Sequence, residues 1–534
     1  MPRIRTLAIA SAVAIPLVAG GFIAQERSSA EGARLFGQVM SLVSDRFVDT
    51  VDTAALYEKA ARGLVSQMQD PYTELMSPKQ LTEFNKGTAG HYGGLGMQIE
   101  PQEGKGIVVS KVFPHTPAEQ AGIREGDIIV GVDTQNTRGW TSRKTSDALT
   151  GTPGTKVSAT FARPGVPEPI KVTFTRAVIH VPAVQYTVMF DGKIGYIPLI
   201  QFSEAATKEV SDSLRRLMSE GAKGIVLDLR GNPGGYLDQA LSMTNLFLDQ
   251  GQQIASVRGR NSEPQLYAAR EKPMAPGIPI VILTDGYTAS ASEIVAGALQ
   301  DHDRALIVGT TSFGKGLVQT LFNLDGGWAL KMTTAKWYTP NGRSIQKERK
   351  LLPDGQFVEV HPDSLESDSA RKARPAYKSD AGRVVYGGGA ITPDLVVKPD
   401  TFTTAEQEFR KTIAPKSSEF YVALYDFSYE RKNNLTPDFK VSPAWRNEFY
   451  QRLEKAGVKV ERSQYDAASR YVDRLIENRI ARLAFGDAGA KRREVDDDNQ
   501  LRVALDILRK GQNQKELFAI ARQTNPASIR NQDH

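Results

Sequence analysis

The first 27 residues set basic positions ahead of an uncharged run. Arg3 and Arg5 precede Thr6 to Ala24, and Gln25-Glu26-Arg27 ends the run. This pattern reads as an export signal. The run is long for a cleaved signal and short for a span, and Pro16 and Gly20-Gly21 interrupt it. No A-x-A-like site stands out, so an uncleaved anchor stays open beside cleavage. Apolar positions then fall into helical spacing. Leu35, Phe36, Val39, Leu42, Val43 and Phe47 make one stripe, and Leu56, Ala60, Leu64 and Met68 a second that ends at Asp70-Pro71. Residues 26–85 are thus expected to be a small helical region.

The texture changes between Tyr92 and Ala177. Gly106-Ile107-Val108-Val109 and Asp127 to Val132 predict strands. Thr116 to Ile123 predicts a short helix begun by Pro117 and stopped by Gly122. Val157 to Phe161 and Ile170 to Phe174 alternate like half-buried strands. From Val181 to Gln346 the strands become continuous apolar runs: Ile194–Ile197, Ile225–Leu227, Ile280–Leu283 and Ala305–Val308. Helical stripes separate them (Leu237, Leu241, Thr244, Leu248; Ile294, Val295, Ala298, Leu299). Strands buried on both faces read this way, so the core is expected to be α/β. Residues 347–389 are polar and rich in Ser, Asp, Pro and Gly, which predicts a surface insertion. Ile391 to Val397 returns to the core as a last strand. Everything from Thr401 is helical in pattern, with Val472, Leu475, Ile476, Ile480 and Leu483 on one face and Leu501, Ala504, Leu505 and Leu508 on another. Lys491-Arg492-Arg493-Glu494 to Asp498 reads as a solvated stretch between helices.

Composition narrows the classes. With 534 residues, 40 % of them apolar, the chain can fill several cores. The net charge of +6 is modest and spread out, so nucleic-acid binding is not expected. There are no cysteines, which excludes disulfides, thiol nucleophiles and thiolate metal sites.

Candidate chemistry concentrates in two segments, Thr288-Ala289-Ser290-Ala291-Ser292-Glu293-Ile294 and Ser312-Phe313-Gly314-Lys315-Gly316-Leu317-Val318-Gln319. A serine is a nucleophile only when a base takes its proton, and a buried lysine is one such base. Ser290 follows a buried strand and the turn Asp285-Gly286 and opens a helix, whose free N–H groups suit an oxyanion. The plainer reading is a capping box, Ser290-Ala291-Ser292-Glu293, worth about 0.5–2 kcal/mol. Lys315 would have to fall from about 10.4 to near pH 7, on the order of 4 kcal/mol, to act as a base. Phe313, Leu317 and Val318 offer the apolar surroundings for that, and Gln319 lies one turn away if the piece is helical. The plainer reading is a surface lysine. Asp228-Leu229-Arg230-Gly231-Asn232-Pro233-Gly234-Gly235 is a strand-to-helix turn whose glycines let backbone N–H groups approach a ligand.

Two rival chemistries are weaker. Gly309 to Lys315 fits a phosphate loop, G-x-x-x-x-G-K, but Gly316 stands where Mg²⁺ needs Ser or Thr, and Asp228 comes before the loop rather than after it. None of the six histidines forms a metal motif. His302, in Asp301-His302-Asp303, is the best alternative base and reads as a polar helix end.

Taken in order, Ile194–Phe202, Asp228–Gly235, Thr288–Leu299, Gly309–Gln319 and Thr333–Gln346 resemble the carboxyl-terminal processing (tail-specific) serine proteases. The resemblance implies a ClpP/crotonase-like α/β peptidase core over residues 179–399 and a PDZ domain in series over 86–178. Residues 1–25 would be a signal or anchor, and 400–534 a helical C-terminal extension. It also implies a Ser-Lys dyad, with Ser290 as nucleophile, Lys315 as general base, Gln319 as its orienter, and oxyanion donors at Ala291 and at Gly234 or Gly235. Gly94, Leu95, Gly96 and Met97 would form the PDZ loop that holds a substrate's terminal carboxylate while the peptide adds a strand. No cofactor and no metal are implied. The expected partners are proteins with apolar, unstructured C-termini, with an adaptor, self-association and inner-membrane attachment through residues 6–24 left open. The expected location is periplasmic or otherwise exported. A catalytically silent PDZ scaffold on the same fold is the alternative function.

Overall fold

The computed structural model describes residues 29–102, 106–163, 166–260, 262–351, 357–359 and 373–524. The membrane or signal reading of residues 6–24 lies outside them. Among the described residues no helix is long and apolar enough to cross a membrane.

The chain divides into two compact units. The smaller holds residues up to Pro78 together with Gln319–Thr333, and the larger holds the rest. In the smaller unit, residues 29–46 and Thr53–Ser66 are helices. Asp52 caps the second by accepting from Ala54 and Ala55 N–H. Strand Glu74–Met76 pairs antiparallel with residues 329–331. The helical spacing read from Leu35 to Phe47 is present, but its apolar side chains are turned outward: Leu35 is 62 % and Phe47 59 % exposed.

In the larger unit, residues 97–175 form an antiparallel sheet in the order Met97–Gln102, Gly106–Val112, Ile128–Val132, Lys156–Ala162, Ile170–Thr175. Alternation along Lys156–Ala162 puts Val157, Ala159 and Phe161 into a core shared with Ile107, Val109, Ile129 and Phe174. Met97–Gln102 is the sheet's edge, and helix Ser142–Leu149 packs beside it.

The central sheet runs Val188–Phe190, Ile194–Pro198, Gly224–Asp228, Ile280–Thr284, Leu306–Gly309, Leu395–Val396. Its first pair is antiparallel and the others parallel. Successive residues of each strand serve opposite faces. Ile225, Leu227, Ile280, Ile282 and Ile307 pack under helices Ala206–Ser219, Leu237–Asn245 and Ala291–Asp301. Val226, Val281, Leu283, Leu306 and Val308 pack against Leu501, Ala504, Leu505, Leu508, Leu517 and Phe518. Helices Asn499–Lys510 and Gln514–Gln523 therefore cover much of one face of the core. The other helices beyond residue 400 build a separate aromatic core around Phe409, Phe420, Phe427, Phe449 and Tyr465.

The 347–389 stretch, expected as a surface insertion, is anchored near its end: Val385 is buried, and Arg383 is clasped by Asp303 and Asp394. The block from Lys491 to Asp498, expected as a solvated link, is tied down instead, because Lys491 is buried and its ammonium donates to Asp498 at 2.9 Å.

Candidate active site

Three loops leave the C-terminal ends of adjacent parallel strands, the usual place for an α/β site. They follow Asp228, Thr284 and Gly309, and hydrogen bonds lock them together. Thr288 Oγ1 donates to Leu229 O at 2.8 Å, Ala289 N–H to Asn232 O at 3.0 Å and Phe313 N–H to Thr288 O at 2.9 Å.

Ser290 is half-buried at the start of helix Ala291–Asp301, with φ 57° and ψ −114°. A non-glycine residue held there costs about 1–3 kcal/mol and persists only where neighbours enforce it. Ser290 and Glu293 are set as a capping box. Glu293 Oε2 accepts the Ser290 N–H at 2.8 Å, and the Glu293 N–H donates to the Ser290 carbonyl at 2.9 Å.

Glu293 is the residue that sequence reading missed. It is fully buried, and both its oxygens are saturated. Oε1 accepts Ser312 Oγ–H at 2.5 Å and Gly314 N–H at 2.7 Å; Oε2 accepts the N–H groups of Ser290 at 2.8 Å and Lys315 at 2.9 Å. One carboxylate oxygen thus fixes the backbone of the predicted nucleophile and the predicted base. Burial raises the pKa of Glu293, opposed by the Ser312 hydroxyl and the three N–H groups. Ser312 cannot turn its proton elsewhere without loss, since its oxygen accepts the Ile391 N–H at 2.8 Å.

Lys315 is half-buried in the loop after Gly309. Its carbonyl accepts the Trp337 indole N–H at 3.1 Å, and Gln346 Oε1 holds the next N–H, of Gly316, at 2.9 Å. Of its three predicted apolar neighbours, Val318 packs against the main core. No helix follows: Leu317–Asn323 is a strand, so Gln319 is not one helical turn from Lys315. The same observation removes the phosphate-loop reading, which needs a helix at that point. Gln319 belongs to the smaller unit, where its Nε2 donates to Thr333 Oγ1 at 3.4 Å. Its role as orienter stays with the resemblance.

The glycine loop packs against Ser290. Gly234 has φ +96°, and a Cβ there would lie 2.9 Å from both Ala291 N and Ser290 Cβ. Gly235, at φ +152°, would meet Phe202 O at 2.2 Å. Glycine is required at both. Buried Asn232 organises the turn. Its amide donates to Leu199 O at 2.7 Å, its Oδ1 accepts the Gly234 N–H at 2.9 Å, and its carbonyl also accepts Ser292 Oγ–H at 3.1 Å. Ala291 opens the helix beside it, with an N–H that the helix's own ladder does not use. His302 caps the far end of the same helix, roughly 18 Å from Ser290 at 1.5 Å per residue, and bonds to Asp380 and Gln253 O. It is no partner for Ser290. Asp228 is engaged within the fold: it accepts from Tyr196 Oη at 2.8 Å and pairs with Arg230.

A second feature is a cleft of about 480 Å³ between the antiparallel domain and residues 181–203, lined by Leu95, Gly96, Met97 and Ile99, by Ser146 and Leu149, and by Val181, Ala183 and Ile200. Three of the four predicted carboxylate-loop residues line it. Gly94 does not: it pairs with Ala177 and packs under the Tyr92 ring.

Comparison with known proteins matches three stretches of the chain. Residues 193–357 match the model of peptidase family S41, residues 86–160 that of the PDZ domain, and residues 22–80 that of the activating protease CtpB N-terminal domain. A carboxy-terminal-processing protease of Bartonella bacilliformis is 40 % identical over 316 residues, 58 % of this chain and 72 % of that protein. The carboxy-terminal processing protease CtpA of Bacillus subtilis is 34 % identical over 346 residues, 64 % of this chain and 73 % of its own. Among solved structures, a photosystem II D1 C-terminal processing protease aligns at 31 % identity over 61 % of this chain and 84 % of its own, with a TM-score of 0.35. The family matches and the Bartonella and Bacillus relatives, each covered over more than two thirds of its length, lead to one assignment: the chain belongs to the carboxy-terminal processing serine proteases of peptidase family S41.

Proposed function

We propose that the protein is an exported endopeptidase that holds apolar, unstructured C-terminal tails in its PDZ cleft and cuts peptide bonds with a Ser290–Lys315 dyad. The observation that carries this reading is the single Glu293 oxygen accepting the backbone N–H groups of both residues. In the proposed reaction Ser290 Oγ attacks the scissile carbonyl as Lys315 Nζ takes its proton. The carbonyl oxygen, now anionic, faces the Ala291 N–H and the glycine loop. The Gly234 N–H is held by Asn232, which supports Gly235 as the loop's donor in this reading. Collapse releases the amine with the proton from Lys315, and water then hydrolyses the acyl-enzyme.

The tail-reading part is supported by the edge strand Met97–Gln102, which can accept an added strand, and by the apolar lining of the cleft beside it. Kinetics on a disordered substrate test it. An apolar tail is expected to give a KM at least about tenfold below that of the same substrate ending in charged residues. Ser146→Trp, which fills the cleft, is expected to erase the difference with kcat unchanged. Equal KM values for both tails would sink the tail-reading claim. Export is proposed from Arg3, Arg5 and the uncharged run Thr6–Ala24, and cell fractionation tests it.

A further inference from the structure

The loop that carries Gly234 and Gly235 begins with Arg230, and Arg230 is gripped from the far end of the chain. Its guanidinium donates to Asp498 Oδ1 at 2.7 Å through Nη1 and to Asp498 Oδ2 at 2.8 Å through Nη2. Nη1 also reaches Gln500 Oε1 at 3.0 Å. On its other edge Nε and Nη2 donate to Asp228, at 2.9 Å to Oδ1 and 2.6 Å to Oδ2. Lys491 adds a third contact to Asp498 at 2.9 Å. Arg230 is 18 % exposed, Asp228 7 % and Asp498 14 %, so solvent screens these pairs weakly. Burial alone would raise the pKa of Asp498, yet the hydrogen bonds and charge of Arg230, with Lys491, hold it well below the usual carboxylate range.

Asp498 sits where it does for a structural reason. It is the N-cap of helix Asn499–Lys510, accepting the Leu501 N–H at 3.1 Å, and that helix is pinned to the central sheet by Leu501, Ala504, Leu505 and Leu508. The carboxylate is thus carried by an element that cannot drift from the strands bearing the reacting loops.

We infer that Asp498 is a positioning residue for hydrolysis: through the two-pronged grip on Arg230 it fixes the entry of the Asp228–Gly235 loop, and so the aim of the loop's N–H groups at the developing oxyanion. The C-terminal extension then completes the active site as well as covering the sheet. This rests on the reading of Ser290 as nucleophile and of the loop as oxyanion donor.

Asp498→Asn is a sharp test because asparagine caps helices as well as aspartate does. The cap stays, but an amide NH₂ replaces one oxygen and faces the donors of Arg230. Steady-state cleavage of an apolar-tailed disordered substrate and inhibition by a peptide aldehyde, which forms a tetrahedral adduct with a serine, are measured on the full chain. Asp498→Asn is expected to lower kcat about a hundredfold, as a misplacement of about 1 Å does. KM should stay within about twofold and the aldehyde's Ki should rise by the same factor as kcat falls. Arg230→Lys, which loses the paired geometry but keeps the charge, should show the same split and serves if Asp498→Asn does not fold. Asp506→Asn, on the exposed side of the same helix, is the control without effect. A kcat and Ki unchanged in a folded Asp498→Asn or Arg230→Lys would overturn the inference. Aldehyde-sensitive cleavage persisting in Ser290→Ala would instead overturn the reading beneath it.

Discussion

Lys315→Met is expected to remove hydrolysis almost entirely, lowering kcat about 10⁴-fold or more, with the fold and tail-peptide binding kept. Methionine matches most of the lysine stem and lacks the amine. The backbone bonds that place residue 315, to Glu293 Oε2 and from the Trp337 indole, do not depend on its side chain. What is lost is the acceptor for the Ser290 proton. When members of a catalytic unit act together, loss of one costs nearly as much as loss of all. The measurements are kcat, the affinity for an apolar-tailed peptide and the melting temperature. Retention of more than about a tenth of the activity would contradict a role for Lys315 as general base.

Glu293→Gln is expected to cost about 10²–10³ in kcat. The side chain keeps its size, but one of its ends becomes a donor facing two donors, so either the Ser312/Gly314 pair or the Ser290/Lys315 pair loses its acceptor. Both alternatives move the nucleophile against the base, where small shifts are costly. The pH dependence has a definite sign. Burial raises the pKa of Glu293, and the ionised form is the one that accepts all four bonds. Activity is therefore present above that raised pKa and lost as pH falls through it, at a higher pH than an ordinary glutamate would give. Glu293→Gln cannot titrate there, so its residual activity should lack that acid limb. An acid limb unchanged in the glutamine variant would show that another group causes it.

Much of the fold was legible because its signals are local. Short uninterrupted apolar runs marked strands buried on both faces, and alternation at Lys156–Ala162 marked a sheet with one buried face. Those runs also implied two covering layers. What they did not show is that Leu501, Ala504, Leu505 and Leu508, visible as a helical stripe, supply one of them, because the stripe does not name its partner. Charge patterning failed for the same reason. Lys491 to Asp498 looks solvated when read alone; the charge that buries it, Arg230, lies 268 residues earlier. In the site, half of Glu293's role was written in the spacing Ser290-x-x-Glu293, and the other half comes from residues about twenty positions on that only the sheet brings back. Gln319 was placed by assuming helical spacing, whereas Val318 and Thr320 are β-branched and the segment is extended. The outward apolar side chains of residues 29–46 show the limit of periodicity: it finds a helix and its stripe without saying what covers it.

The most direct test of the account is to trap the acyl-enzyme. The purified chain is mixed with a disordered protein ending in an apolar tail, quenched in acid within the first turnover, digested and analysed by mass spectrometry, with Ser290→Ala alongside. The account predicts a substrate fragment esterified to Ser290 in the unmodified chain, and neither adduct nor cleavage in the variant. Cleavage by Ser290→Ala at a rate close to that of the unmodified chain, or a fragment attached to another residue, would contradict it.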